Sequence, residues 1–211
     1  MSRYIPALAI LFLFPAITWG QSSQAKYGSD FLSTGGGARA LGMGGAHAAL
    51  ANDVTAAYWN VAGLADMQQP QIMYMHSERF SGIVGYDYGA AAMPLKNQDG
   101  VLAISFFRQG VDNIANTLNA WDRERDQPKG NVEDYITRFS AADMAIFVSY
   151  ATQRNERLSY GASAKIIHHK LGPFAQAWGY SLDVGAKYKT DFADFGVSVR
   201  DLTTMQKMWD V

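Results

Sequence analysis

Few residues in this chain have the type and spacing to do chemistry. Gly35, Gly37 and Ala40 fit G-x-G-x-x-A, the spacing with which a glycine-rich turn brings backbone N–H groups against a dinucleotide pyrophosphate. That fingerprint needs a buried strand before it and a long helix after it, and Ser29–Thr34 supplies no such strand. His168 and His169 are adjacent in an alternating stretch, so they point to opposite faces and cannot chelate one ion together. His47 and His76 stand alone. The run Asp122-Arg-Glu-Arg-Asp126 alternates in sign, which suits a solvated loop and not a calcium loop. There is no G-x-x-x-x-G-K-[ST] phosphate loop and no G-x-S-x-G nucleophile elbow. The expectation is a protein without catalytic residues, cofactor or metal.

Composition points the same way. The 211 residues hold 18 Lys and Arg against 19 Asp and Glu, with no Cys. A near-neutral balance gives nucleic acid no reason to bind, and a disulfide framework is impossible. Charged residues make up 18 % and aromatics 13 %. The charge lies below the roughly 25 % usual in soluble domains, which leans toward a membrane β-barrel.

Residues 1–20 read as a secretory signal peptide. Arg3 gives a positive start, Ile5–Trp19 is apolar but broken by Pro6 and Pro15, and the stretch ends in Gly20 before Gln21. About fifteen apolar residues with two prolines fall short of the roughly 20 that span a bilayer. Residues 21–66 form a polar lead-in followed by a Gly/Ala-rich segment, and 67–211 carry the strands.

In that second part the period is two. Strands are expected at 71–76, 84–93, 101–108, 142–152, 158–169, 178–189 and 195–200, with no strand in the charged stretch 109–141. From Trp178 to Lys189, one face reads Trp178, Tyr180, Leu182, Val184, Ala186 and Tyr188; the other reads Gly179, Ser181, Asp183, Gly185, Lys187 and Lys189. A soluble β-sandwich shows the same alternation. Strands longer than the soluble mode of roughly 5–6 residues, small and sparsely charged polar faces, and connections alternating between long and short favour an antiparallel transmembrane barrel. Seven strands would leave the chain at the end opposite to where the first one starts. Bacterial single-chain barrels have even counts. Either 205–211 is a short eighth strand, or the chain is part of a longer barrel, which is the expectation here.

The segment before the strands organises the rest. Residues 35–45 hold six glycines, and Asp53 is nearly the only charge in the following stretch. Asn52 or Asp53 can cap a short helix through Tyr58 and Trp59, which Asn60 and Gly63 would stop. Small residues with one aromatic turn suit a segment threaded through a narrow space, with Gly42, Gly44 and Gly45 there for close approach. The run ARALGMGGAHAALANDVTAAYWNVAGLA resembles the N-terminal signature of the FadL-like outer-membrane proteins, most of all the PorV/PorQ branch; Val61 stands where that family usually has Pro.

The resemblance implies a bacterial outer-membrane β-barrel, complete or partial, with an N-terminal plug containing a short helix. Its plug and turn residues would be Gly42, Gly44, Gly45, Asp53, Tyr58, Trp59, Asn60 and Gly63. It further implies outer-membrane lipid as surroundings, and either a platform for exported proteins, with type IX secretion components as partners, or a channel for small hydrophobic molecules. A soluble secreted β-sandwich that binds ligands is the alternative from another class.

Overall fold

The computed structural model describes residues 30–95 and 100–202, and the backbone of 206–210. The segment 1–20, read as a signal peptide, lies outside them.

The structure is mostly antiparallel β, with one sheet curled into a half-barrel. Its strands are β1 (Gln71–Arg79), β2 (Val84–Pro94), β3 (Gly100–Asn116), β6 (Thr137–Gln153), β7 (Leu158–Leu171), β8 (Ala175–Lys189), β9 (Asp194–Val199) and β10 (Gln206–Asp210). Between β3 and β6 a separate two-stranded ribbon is formed by β4 (Trp121–Asp122) and β5 (Gln127–Pro128). Successive long strands are neighbours, in the order β1-β2-β3-β6-β7-β8. Both β9 and β10 pair with β8, the first from Lys189↔Asp194 to Val184↔Val199, the second from Tyr180↔Gln206 to Gln176↔Asp210. They run in the same direction along one edge. The C-terminal stretch is therefore the second half of an interrupted seventh strand, not a returning eighth.

Two other expectations change. Strands β3 and β6 run on through 109–116 and 137–141, where no strand was expected. Alternation is lost there because the pairing rests on backbone hydrogen bonds, and a register shift between Val111 and Ile114 adds a bulge with Asn113 at φ 65°. Connections do not alternate in length either. Phe80, Ser81 and Gly82 turn tightly at positive φ between β1 and β2, and Gly172 does so between β7 and β8, leaving 117–136 as the one long excursion among the described residues. Within it Asp122 Oδ1 accepts from the Glu124 and Arg125 N–H groups at 3.0 and 3.3 Å, so the alternating charges close a small turn.

Burial follows the pleat but inverts the soluble pattern. On β6 to β8 the concave side carries Ser149, Ser163, Lys165, Ser181, Asp183 and Lys187 together with Phe147 and Ile167, all buried. The opposite side carries Ile146, Val148, Ile166, Tyr180 and Leu182; Ile166 is 57 % and Leu182 45 % exposed. On β2 and β3 the concave side is apolar, with Tyr86, Tyr88 and Phe107. There it meets residues 30–67, which supply Phe31, Tyr58 and Trp59 to the same cluster. Phe107 lies 6.0 Å from Phe31 and 6.3 Å from Tyr58, centroid to centroid, within the range of productive aromatic pairs.

The extended β3–β6 hairpin gives a direct expectation. In hydrogen exchange, amides of 109–116 and 137–141 should be protected like those of 101–108, while 123–135 exchange quickly. Fast exchange through all of 109–141 would return that stretch to a loop.

Candidate functional site

The site is the contact between residues 30–67 and the concave wall. Asp53 starts it: its Oδ1 accepts the Thr55 N–H at 2.8 Å, and the helix Ala56–Trp59 follows. Asn60, at φ −159° and ψ 104°, leaves the helix in extended conformation and caps the next 3₁₀ turn, Val61–Asp66, by accepting the Ala62 N–H at 3.2 Å. The Asn60 Nδ2 donates to Ala48 O at 2.8 Å and to Ala186 O on β8 at 3.1 Å. One buried amide thus joins two turns of the N-terminal segment to the wall.

Glycines of the wall make room for it. Gly161 and Gly185 are register partners on β7 and β8. A Cβ on Gly185 would collide with Asn60 Oδ1, one on Gly196 would collide with Ala48 O, and one on Gly161 would lie 3.1 Å from the Val61 carbonyl carbon. Within the segment, Gly63 is pressed on Ala51 O, and a Cβ at Gly36 would meet the Tyr88 ring at 2.6 Å. Gly63 therefore does not stop the helix; it lets the 3₁₀ turn pack.

Gly42 and Gly44 correct the expectation of close approach, since neither has a neighbour that a Cβ would meet. Gly44 and Gly45 are instead required by φ of 64° and 81°, the left-handed region that glycine enters at no steric cost; only Gly45 also approaches the Trp59 ring. Of the expected residues, Asp53, Tyr58, Trp59, Asn60, Gly63 and Gly45 come together, and Gly42 and Gly44 lie at an exposed turn.

Tyr58 and Trp59 are held from both sides. The Tyr58 hydroxyl donates to Leu32 O, and Trp59 Nε1 donates to Gly36 O at 2.7 Å. Arg200, beyond β9, lies over the Tyr58 ring at 4.5 Å and donates to its hydroxyl oxygen at 3.2 Å. Burial pushes the Tyr58 phenol above its ordinary value, against the pull of Arg200. His47 packs edge-on to Trp59 with neither ring nitrogen hydrogen-bonded, and burial holds its imidazole below the usual value despite Asp53. A neutral, packed His47 is the consequence.

Charged pairs complete the contact. Asp66 accepts Lys187 at 2.8 Å and Lys189 at 2.6 Å, and Lys187 also donates to Ala51 O at 3.2 Å. Farther along the wall, buried Lys165 lies 3.0 Å from Asp183 and 2.8 Å from Asp201. A cavity of about 230 Å³ opens beside this pair, lined also by Tyr58, Phe147 and Arg200. The sequence places Asp183, Lys187 and Lys189 on one face of β8 but does not show their ionic partners.

His168 stacks outward on Trp178 at 4.1 Å, while His169 turns inward to Asp143 at 2.6 Å. Among the described residues no three His, Asp or Glu side chains converge as a metal site. No family model matches this chain, and neither a curated protein nor a solved structure does.

Replacing Asn60 by Ala removes three hydrogen bonds, those to Ala48 O and Ala186 O and the one from the Ala62 N–H. The expected loss is about 2–4 kcal/mol in segment docking, read as faster limited proteolysis within 30–67. Cleavage unchanged from wild type would remove Asn60 from its central place. Val61→Pro should behave oppositely. Val61 is the first residue of the 3₁₀ turn, and Asn60 before it is already extended, as a residue preceding proline must be. A gain of about 0.4–1 kcal/mol is expected, and a lower urea midpoint would show that the turn needs the Val61 N–H.

Proposed function

We propose that residues 71–210 are wall strands of a bacterial outer-membrane β-barrel, that residues 30–67 are its plug, and that the protein serves as a platform for exported proteins. One observation carries the membrane reading: the aromatic and aliphatic face of β6 to β8 is the exposed one, while the face that holds Ser, Lys and Asp beside Phe147 and Ile167 is buried. A soluble sandwich buries its apolar face and wets the other. Hydrocarbon is the surrounding that makes the observed arrangement favourable.

Dimensions support it. Trp178 and Tyr188 flank the exposed face of β8. Ten residue steps of roughly 3.4 Å, tilted by 35–45°, span about 25 Å, the height of an outer-membrane apolar band. The reading also makes a demand. Among the described residues β1 pairs only with β2, and the β9–β10 edge only with β8. Open edges leave N–H and C=O groups unsatisfied in lipid, so both must be paired by further strands.

The platform role rests on the resemblance to the PorV/PorQ branch and on how firmly the N-terminal segment is tied, by Asn60, Asp66 and Arg200. A channel for small hydrophobic molecules is the second reading, and it rests on the same resemblance. Export follows from the signal-peptide pattern of residues 1–20.

The membrane reading and the soluble one assign opposite signs to one substitution. Leu182→Arg puts a charge on the exposed face. In a bilayer this costs roughly 2–4 kcal/mol near the midplane and should lower the heat-modifiable, membrane-fractionated protein. In a soluble domain it should be neutral or improve solubility. Ser181→Arg, on the opposite face, is not a clean control: Ser181 is 2 % exposed and is the register partner of Lys165. Leu182→Phe is the better one and should assemble normally.

A further inference from the structure

The exposed side of the sheet is not uniformly apolar at its β1–β3 end. On β2 the outward positions are Asp87, Gly89 and Ala91, where β6 and β8 carry large side chains at theirs. With so little side chain on β2, Ile72 and Tyr74 of β1 stand as one ridge and Ile104 and Phe106 of β3 as the other. Between them runs a groove of about 730 Å³, with Gly89 and Ala91 as its floor. The Phe106 ring leans into the space a Gly89 side chain would take. A second depression of about 570 Å³ shares Ile72, Ala91 and Ile104, so the groove continues along β2 toward Met93.

At its other end the groove meets charge. Asp87 accepts from the Tyr74 hydroxyl at 2.6 Å, lies 2.8 Å from His76 Nδ1, and accepts from Arg108 Nη1 at 3.3 Å. Glu78 stands 3.5 Å from His76, and Asp112 3.9 Å from Arg108. All six project from the face that elsewhere is aliphatic and aromatic. Asp87 is largely covered, whereas Arg108 and His76 keep part of their surface open, and Glu78 and Asp112 more. The cluster therefore has Asp87 at its centre, Arg108 and His76 around it, and two further carboxylates at its rim.

We infer that this groove is a binding site for one membrane phospholipid with a zwitterionic, ethanolamine-type headgroup. This rests on the membrane reading above. An acyl chain lies along Gly89 and Ala91 between the two ridges. The phosphate takes hydrogen bonds from the Arg108 N–H groups not spent on Asp87, and the primary ammonium faces Glu78 and Asp112. Charge complementarity selects this occupant. A headgroup with net negative charge would meet three carboxylates against one guanidinium, and a bare hydrocarbon would leave the charged rim facing lipid without a partner. The same arrangement explains why charged residues are tolerated on this face, since polar groups at a bilayer are expensive unless paired.

The test uses the full chain purified in nonionic detergent, doped with equal amounts of phosphatidylethanolamine and phosphatidylglycerol and read by native mass spectrometry. One phosphatidylethanolamine should be retained over phosphatidylglycerol by roughly tenfold, equivalent to about 1.4 kcal/mol. Ala91→Phe fills the groove with apolar volume and should abolish retention while heat-modifiability is kept. Arg108→Gln should remove the headgroup preference. Equal retention of the two lipids by the unmodified protein, or undiminished retention by folded Ala91→Phe, overturns the site and leaves the barrel intact. Should Ala91→Phe not fold, the headgroup ratio of the unmodified protein and of Arg108→Gln decides. A chain that stays monodisperse without detergent overturns the membrane reading and this site with it.

Discussion

The amide of Asn60 is the interaction on which the rest of the structure depends. It is buried, it cannot reach water, and its donors and acceptor are spent on three backbone groups from three places in the chain. Backbone carbonyls of a wall strand and of a turn at Ala48 would otherwise face each other without a donor between them. Such groups are costly to leave unpaired, so the amide's position sets where the turn can sit. The paired glycines Gly161 and Gly185 then follow as a necessity. A side chain at Gly185 would push Asn60 off the strand it bonds to, and one at Gly161 would press on the Val61 backbone next to it.

Around that contact the polarity of the sheet becomes intelligible. A wall that receives backbone turns and charged side chains needs hydroxyls, lysines and small residues on its inner face. Lys187 and Lys189 answer Asp66, and Lys165 answers Asp183 and Asp201. Buried pairs of this kind are weak sources of net stability, because desolvation offsets much of the attraction. Their value here lies in register. Slipping β8 by one residue would turn Lys187 outward and bring Ala186 to Asp66, exchanging Ser181, Asp183 and Lys187 for Tyr180, Leu182 and Ala186.

Much of this was legible in the sequence where one face differs from the other. The two sides of β8 could be read directly from Trp178 to Lys189, and so could the opposite orientations of His168 and His169. The extension of β3 and β6 could not, because residues 109–116 and 137–141 pair through backbone and carry no consistent face. Gly44 and Gly63 show a different limit. Both are glycines in a Gly/Ala-rich stretch, yet one serves dihedral angle and the other proximity, and only the position of Ala51 O separates them. Asp66 and Lys187 are 121 residues apart. Nothing local announces such a partner.

The separation of these partners has a consequence for the order of events during folding. Residues 30–67 leave the ribosome before any of the groups that hold them. Ala186, Lys187, Lys189, Gly196 and Arg200 all come more than a hundred residues later, and the Arg200–Tyr58 contact spans 142 positions. Closing loops of this size is entropically slow, and contacts across them form late. The ties of the N-terminal segment to β8 and Arg200 must therefore wait until those residues are in place, whereas its packing on Tyr88 and Phe107 needs only β2 and β3. Its own helix is a single turn and cannot persist alone. Made before the wall, the segment is fully secured only when the last strands are in place.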